Sequence, residues 1–139
     1  MNPTLIKAVF SVMINYLTYH FLERFEKLGC ECGYDVRRDL AKVMLLTSYL
    51  IIIGYVLFPD VPPTAKLFIA AYMFIYDLVF VSYIFSLKQK KCVCNDSFVD
   101  TTADVLHLYY TLLIFAFLFT LSMAFVFVPA ISLFSKGKR

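Results

Sequence analysis

The sequence has no tryptophan, only four glycines and five prolines, and no low-complexity run. Chains that are disordered or collagen-like are rich in glycine and proline, so both classes are excluded. Charge is sparse as well: 17% of the residues are charged, and the net charge of +3 is scattered along the chain. A nucleic-acid-binding protein concentrates positive charge on one surface, and we therefore expect no nucleic-acid partner.

Signatures of catalysis and of selective conduction are also missing. The chain contains no G-x-S-x-G, H-E-x-x-H or P-loop sequence, no T-V-G-Y-G filter and no arginine-rich voltage-sensing helix. No motif pairs a nucleophile with a base. We therefore expect a protein that is not an enzyme and that has no cofactor, apart from the zinc alternative considered below.

Apolar side chains are abundant: 61% of the 139 residues are hydrophobic and 18% are aromatic. A soluble domain of this size could not bury so much apolar surface, because small domains have a high surface-to-volume ratio. The composition therefore predicts a single integral membrane domain, 1–139, with the lipid bilayer as its main partner.

Four stretches are candidates for membrane spans. A helix needs about 20 residues to cross a hydrocarbon core of about 30 Å. Three apolar stretches satisfy this requirement, at 41–58, 65–87 and 105–134, and we expect the last to leave the core near Pro129. The N-terminal stretch 5–22 could span or could lie in the interface as an amphipathic helix, and we expect it to span. The predicted fold class is an all-α polytopic membrane protein.

Polar or proline-rich segments separate these stretches. Residues 58–64 contain three prolines and cannot continue a helix. Residues 23–39 and 88–104 are polar loops. We expect the next helix to begin at Asp39 after the first loop and at Asp100, Thr101 or Thr102 after the second.

The sequence repeats itself at a displacement of 62 residues. Cys30-Glu31-Cys32 falls on Cys92-Val93-Cys94, and several apolar positions match at the same register. We therefore predict a four-helix bundle of two tandem helix–CxC loop–helix repeats, related by a pseudo-two-fold axis along the membrane normal. The predicted parts are repeat 1 at 4–59, repeat 2 at 65–134 and a basic tail at 135–139.

This arrangement puts both CxC loops at one end of the bundle. That end carries eight Lys and Arg residues and the other end carries five, which favours the loops in the cytosol.

The four cysteines could be cross-linked in two ways. Two CxC pairs at one end could supply the four thiolates of a tetrahedral zinc site, although structural zinc sites usually use C-x2-C. The same residues, Cys30, Cys32, Cys92 and Cys94, could instead form two disulfides between the loops, although a reducing cytosol opposes such bonds. Four free thiols are the third alternative.

Asp77 lies at the centre of an otherwise apolar stretch, where an unpaired carboxylate is costly. The repeat aligns Asp77 with Asn15, so the two polar groups could meet within the membrane. One interpretation is that they hydrogen-bond and fix the packing of the helices. The alternative is a proton or ion pathway, which would make the protein a small oligomeric ion channel or a proton-coupled carrier using Asp77.

The first loop ends in a dense run of charge, Asp35-Val36-Arg37-Arg38-Asp39. This run could be a solvated loop, or it could dock a partner protein or lipid head groups through Arg37, Arg38 and Asp39. The corresponding segment of the second repeat, 97–101, lacks the arginines. The first loop therefore has a candidate role that the second lacks.

The run Leu28-Gly29-Cys30-Glu31-Cys32, followed by Arg37-Arg38-Asp39 and an apolar helix, resembles small membrane proteins encoded by nucleocytoplasmic large DNA viruses. The resemblance implies a virion component, a structural scaffold or anchor in an inner membrane beneath a capsid or in a membrane derived from the host endoplasmic reticulum. Its partners would be capsid or other membrane proteins, or further copies of itself. Such viruses commonly encode a thiol oxidase, which favours disulfides over zinc.

Overall fold

The computed structural model describes residues 3–90 and 97–136, and it contains four α-helices. They are α1 (Pro3–Lys27), α2 (Val36–Leu57), α3 (Pro63–Gln89) and α4 (Ser97–Lys136), with a short 3-10 turn at Glu31–Gly33. The described residues contain no β-strand. All four helices are long and apolar enough to cross a membrane. The predicted all-α, four-helix membrane fold is confirmed.

Each helix packs mainly against two neighbours, in the pairs α1–α2, α2–α3, α3–α4 and α1–α4. Consecutive helices are therefore adjacent, as expected for chains with short connections. The N-terminal helix belongs to this bundle, because its residues Phe21 and Leu22 are completely buried in the common core. An isolated helix lying in the membrane interface would not have that environment.

The helices extend beyond the apolar stretches, and the predicted helix starts were wrong. α2 begins at Val36, so Asp39 lies inside it, and the N-cap is Asp35, whose carboxylate accepts a hydrogen bond from the Arg37 backbone N–H at 3.1 Å. α4 begins at Ser97, ahead of Asp100. Polar residues at helix ends lie outside the hydrocarbon and can hydrogen-bond there, so an apolar run sets a helix's minimum length and not its ends.

Gly29 ends α1 and turns the chain toward α2. Its φ of +64° is in the left-handed region, which glycine adopts without the steric cost of a Cβ. The backbone N–H of Gly29 donates to the Glu26 carbonyl at 3.1 Å, which satisfies a carbonyl of the last helical turn. At the other end of the bundle, Pro63 is the first residue of α3, a position where its missing N–H has no consequence.

The buried side chains are concentrated in one half of the bundle. In every helix they lie nearest the end where α1 connects to α2, which we call the loop end; the segments are 15–25 of α1, 38–48 of α2, 76–87 of α3 and 99–110 of α4. Toward the opposite end, which carries the proline-rich turn and which we call the turn end, no described side chain is fully buried. The helices are therefore closely packed at the loop end and separated by grooves at the turn end.

The burial pattern of α1 recurs in α3 at the displacement of 62 residues. All five buried positions of α1 fall on buried positions of α3: Asn15 on Asp77, Thr18 on Phe80, Phe21 on Tyr83, Leu22 on Ile84 and Phe25 on Leu87. α2 and α4 share fewer positions, namely Met44 with Leu106 and Ser48 with Tyr110. A duplicated hairpin would give this pattern, and the repeat with its boundaries stays a prediction.

Candidate functional site

Side-chain contacts tie the first loop to α3 at the loop end. The Tyr83 hydroxyl donates to the Gly33 carbonyl at 2.9 Å, and the Arg37 guanidinium donates to the Ser82 carbonyl at 3.2 Å. Asp35 forms an ion pair with Lys90 at 3.8 Å. The segment between α1 and α2 is therefore attached to the end of α3.

Ion pairs connect the helices at the same end. Lys42 of α2 pairs with Glu26 of α1, and Lys88 of α3 pairs with Asp104 of α4 at 2.6 Å. Pairs that are exposed to this degree contribute roughly 0–1 kcal/mol each. They join α1 to α2 and α3 to α4 at the loop end, and they add little to stability.

All three predicted docking residues make hydrogen bonds within the protein, but they differ in exposure. Arg38 is only 7% exposed; its Nε and Nη2 donate to Asp39 Oδ1 at 3.2 and 2.9 Å, and its guanidinium lies 4.5 Å from the centre of the Tyr34 ring. Arg37 is bonded to α3, as described above. The Asp39 carboxylate remains largely exposed, and the neighbouring Val36 is 81% exposed.

Two of the four cysteines, Cys30 and Cys32, are among the residues that the structure describes. Neither Cys30 nor Cys32 is a free thiol. Cys92 and Cys94 lie outside the described residues, so their predicted pairing with the first loop stays a prediction. Among residues 3–90 and 97–136, no three His, Cys, Asp or Glu side chains are close enough to hold a metal ion. The zinc alternative needs Cys92 and Cys94.

A cavity of about 240 Å³ lies within the membrane-spanning part, between α1, α3 and α4. It contains both of the polar residues that the sequence singled out, Asn15 and Asp77. The remaining lining is mostly apolar or aromatic: Ser11, Ile14, Ala70, Met73, Phe74, Tyr76, Tyr109, Tyr110, Leu113 and Phe117. The cavity lies where the closely packed half of the bundle meets the open half.

Asn15 and Asp77 line the same cavity but differ in their hydrogen bonding. The Asn15 amide donates to the Ser48 hydroxyl of α2 at 3.1 Å, and that hydroxyl donates to the Leu45 carbonyl at 2.6 Å. Asp77 Oδ1 is buried and accepts no hydrogen bond from any described residue. The polar contact of Asn15 therefore joins α1 to α2, and the Asp77 carboxylate is left without a donor on one oxygen.

Two tyrosines and a threonine form a hydrogen-bonded network beside the cavity, and sequence reasoning missed it. The Tyr110 hydroxyl lies 2.9 Å from Thr18 Oγ1 and 3.2 Å from the Tyr76 hydroxyl, and Thr18 also donates to the Ile14 carbonyl. The signal was available, since a tyrosine in the middle of a span must find a partner for its hydroxyl. This network joins α1, α3 and α4.

No protein-family model matches the chain, and neither a curated protein nor a solved structure is detectably similar to it. The fold nevertheless defines a class: the chain is an all-α, multi-pass membrane protein. Ion pairs join its helices at the loop end, and the Asp77 carboxylate lines a cavity within the bundle.

Proposed function

We propose that this protein is a non-enzymatic membrane scaffold or anchor, which presents its loop end to a neighbouring protein. The observation that carries the proposal is the set of contacts that join the first loop to α3 and pair α1 with α2 and α3 with α4. A rigid end of this kind keeps a docking surface in one shape, which lowers the entropic cost of binding.

The surface available for docking differs from the one expected from the arginines. Arg38 is buried and lies against the Tyr34 ring of the loop, whereas Val36, Arg37 and Asp39 are exposed. An apolar side chain bordered by a carboxylate resembles the small apolar centre and polar rim of a protein interface. Val36 is therefore the residue that we expect to contact the partner.

Site-specific photo-crosslinking tests this proposal. A photoreactive residue at position 36 should give a discrete protein adduct in native membranes. The matched control is position 58 at the turn end, where Phe58 is 71% exposed and is likewise apolar. If both positions react only with lipid, and the protein remains a lone monomer, the scaffold proposal fails.

The resemblance to membrane proteins of large DNA viruses extends the proposal to a location and a partner. The membrane would be the inner membrane of a virion, or the host membrane derived from the endoplasmic reticulum that gives rise to it, and the partner would be a capsid or other membrane protein. The two CxC loops would be joined by disulfides, made in the cytosol with the help of a virus-encoded thiol oxidase. Zinc bound by the four cysteines is the alternative cross-link.

A second candidate function, a small oligomeric channel or proton-coupled carrier, is favoured by one observation. Asp77 is buried in a span and Oδ1 has no donor among the described residues, whereas a purely structural carboxylate should be hydrogen-bonded. Reconstituted liposomes provide the test. A proton or cation flux that disappears in Asp77→Asn would support this function, and liposomes without any flux would remove it.

A further inference from the structure

We propose that the cavity beside Asp77 is a binding site for a small organic ammonium ion with an apolar body. This site would function whether or not the protein is a scaffold, because the cavity lies within the spans and away from the loop end.

The first argument is the unsatisfied carboxylate. Asp77 is 7% exposed, and Oδ1 accepts no hydrogen bond from any described residue. A buried charge is stable only when it is paired and hydrogen-bonded. An ammonium group supplies both the opposite charge and the missing N–H donor.

The second argument is that several of the neighbouring polar groups are bonded to one another and not to Asp77. The Asn15 amide donates to Ser48, and the hydroxyls of Tyr76 and Tyr110 are bonded to each other. Tyr110 is bonded to Thr18 as well. None of these groups donates to Asp77 Oδ1, which leaves this oxygen available to a donor from a molecule in the cavity.

The third argument is the chemistry of the walls. Aromatic rings from both α3 and α4 line the cavity, among them Tyr76 and Tyr109. Aromatic faces attract ammonium ions and pack against apolar groups. Ca²⁺ and Mg²⁺ need about six or more oxygen ligands, which a lining with a single carboxylate does not supply. The walls therefore favour an organic cation.

The size of the cavity limits the ligand. Its volume of about 240 Å³ is slightly below the roughly 300–1,000 Å³ typical of sites for drug-sized molecules. A ligand with one ring or a short alkyl chain would fit. Ser11, Ala70 and Leu113 lie on the turn-end side of the cavity, where the helices are separated by grooves, so a ligand could enter from that side or from the bilayer.

Equilibrium dialysis of the purified protein in lipid nanodiscs tests the site, with benzylamine as the charged probe and benzyl alcohol as its neutral isostere. The alcohol controls for partition into lipid. We expect saturable binding of benzylamine, at least tenfold tighter than that of benzyl alcohol. Asp77→Asn should abolish this preference, whereas Asp60→Asn, which neutralises an exposed carboxylate in the proline-rich turn, should leave it unchanged.

A second variant keeps the carboxylate and removes the space. Ala70→Leu should fill part of the cavity and weaken benzylamine binding at least tenfold with Asp77 intact. A thermal unfolding curve for each variant establishes that it is folded. The proposal is overturned if wild-type protein shows no saturable benzylamine binding, if benzyl alcohol binds equally well, or if folded Asp77→Asn keeps the preference.

Discussion

Gly33 occupies a position in the first loop that has no room for a side chain. A Cβ built on this residue would overlap the ring of Phe25, which is itself buried in the core. We therefore expect Gly33→Ala to displace either the ring or the loop, and to lower the free energy of unfolding by about 1–3 kcal/mol, the usual cost of overpacking. Reversible unfolding in mixed micelles would measure the change.

Gly54 provides the matched control for Gly33. It lies inside α2, and a Cβ added there would meet no atom within 4 Å. Gly54→Ala should be neutral or should stabilise the protein by up to about 1 kcal/mol, because alanine favours the helix. Equal losses of unfolding free energy in the two variants would contradict this prediction. They would show that overlap with Phe25 is not the reason that alanine is unfavourable at position 33.

The sequence predicted that two polar residues of the spans are buried, but not their hydrogen-bond partners. The apolar context of Asp77, and its alignment with Asn15, indicated that both would lie inside the bundle, and both are buried there. The partner of Asn15 could not be foreseen, because Ser48 is one of several small polar residues in the chain and its selection depends on how α1 and α2 pack. Hydrogen-bond partners across helices are fixed by rotation and register, which composition does not encode.

Asp35 controls the start of α2 and offers a test at the scale of the helix. Its carboxylate caps the helix through the Arg37 N–H and also pairs with Lys90. Asp35→Ala should lower the free energy of unfolding by about 0.5–2 kcal/mol, because the cap is lost. Asp35→Asn keeps the cap and loses only the ion pair, so its effect should be below about 1 kcal/mol.

Chemical unfolding of the two Asp35 variants, measured by helical circular dichroism, distinguishes the two roles. A loss in Asp35→Asn as large as that in Asp35→Ala would mean that the pair with Lys90, and not the cap, is the main contribution.

The number and order of the helices could be predicted, but their ends could not. Four stretches of sufficient apolar length gave four helices, since the bilayer thickness sets the minimum length. The ends lie in polar sequence: α1 reaches Lys27, and α3 reaches Gln89. Near these ends, charged residues form ion pairs between helices, such as Lys42 with Glu26 and Lys88 with Asp104. The sequence of one helix does not show which residue of another helix it will pair with.

At the scale of the whole molecule, stability should be unequal along the bundle axis. α3 carries a phenylalanine in each half: Phe80 is fully buried near the loop end, and Phe68 is 76% exposed near the turn end. Phe80→Ala should cost about 3–5 kcal/mol, as for other buried aromatic residues. Phe68→Ala should cost less than about 1 kcal/mol, because lipid replaces a contact that the protein does not make. The free energy of unfolding of each variant can be measured in mixed micelles. Similar losses in the two variants would contradict a bundle that is closely packed only at the loop end.

Disulfides between the two CxC loops would increase this difference in stability, because they would add a covalent constraint to the loop end, which is already closely packed. Neither Cys30 nor Cys32 is a free thiol, and the last residue described before the second loop, Lys90, contacts Asp35 of the first. We expect denatured protein to show no reactive thiols before reduction, four after it, and no bound zinc. Reduction should also lower the free energy of unfolding by about 3–4 kcal/mol, since the first disulfide would close a loop of roughly 60 residues in the unfolded chain and the second, beside it, would add little. One zinc per chain with four thiols would replace the disulfides by a metal centre, and four thiols without zinc would remove the cross-link from the scaffold proposal.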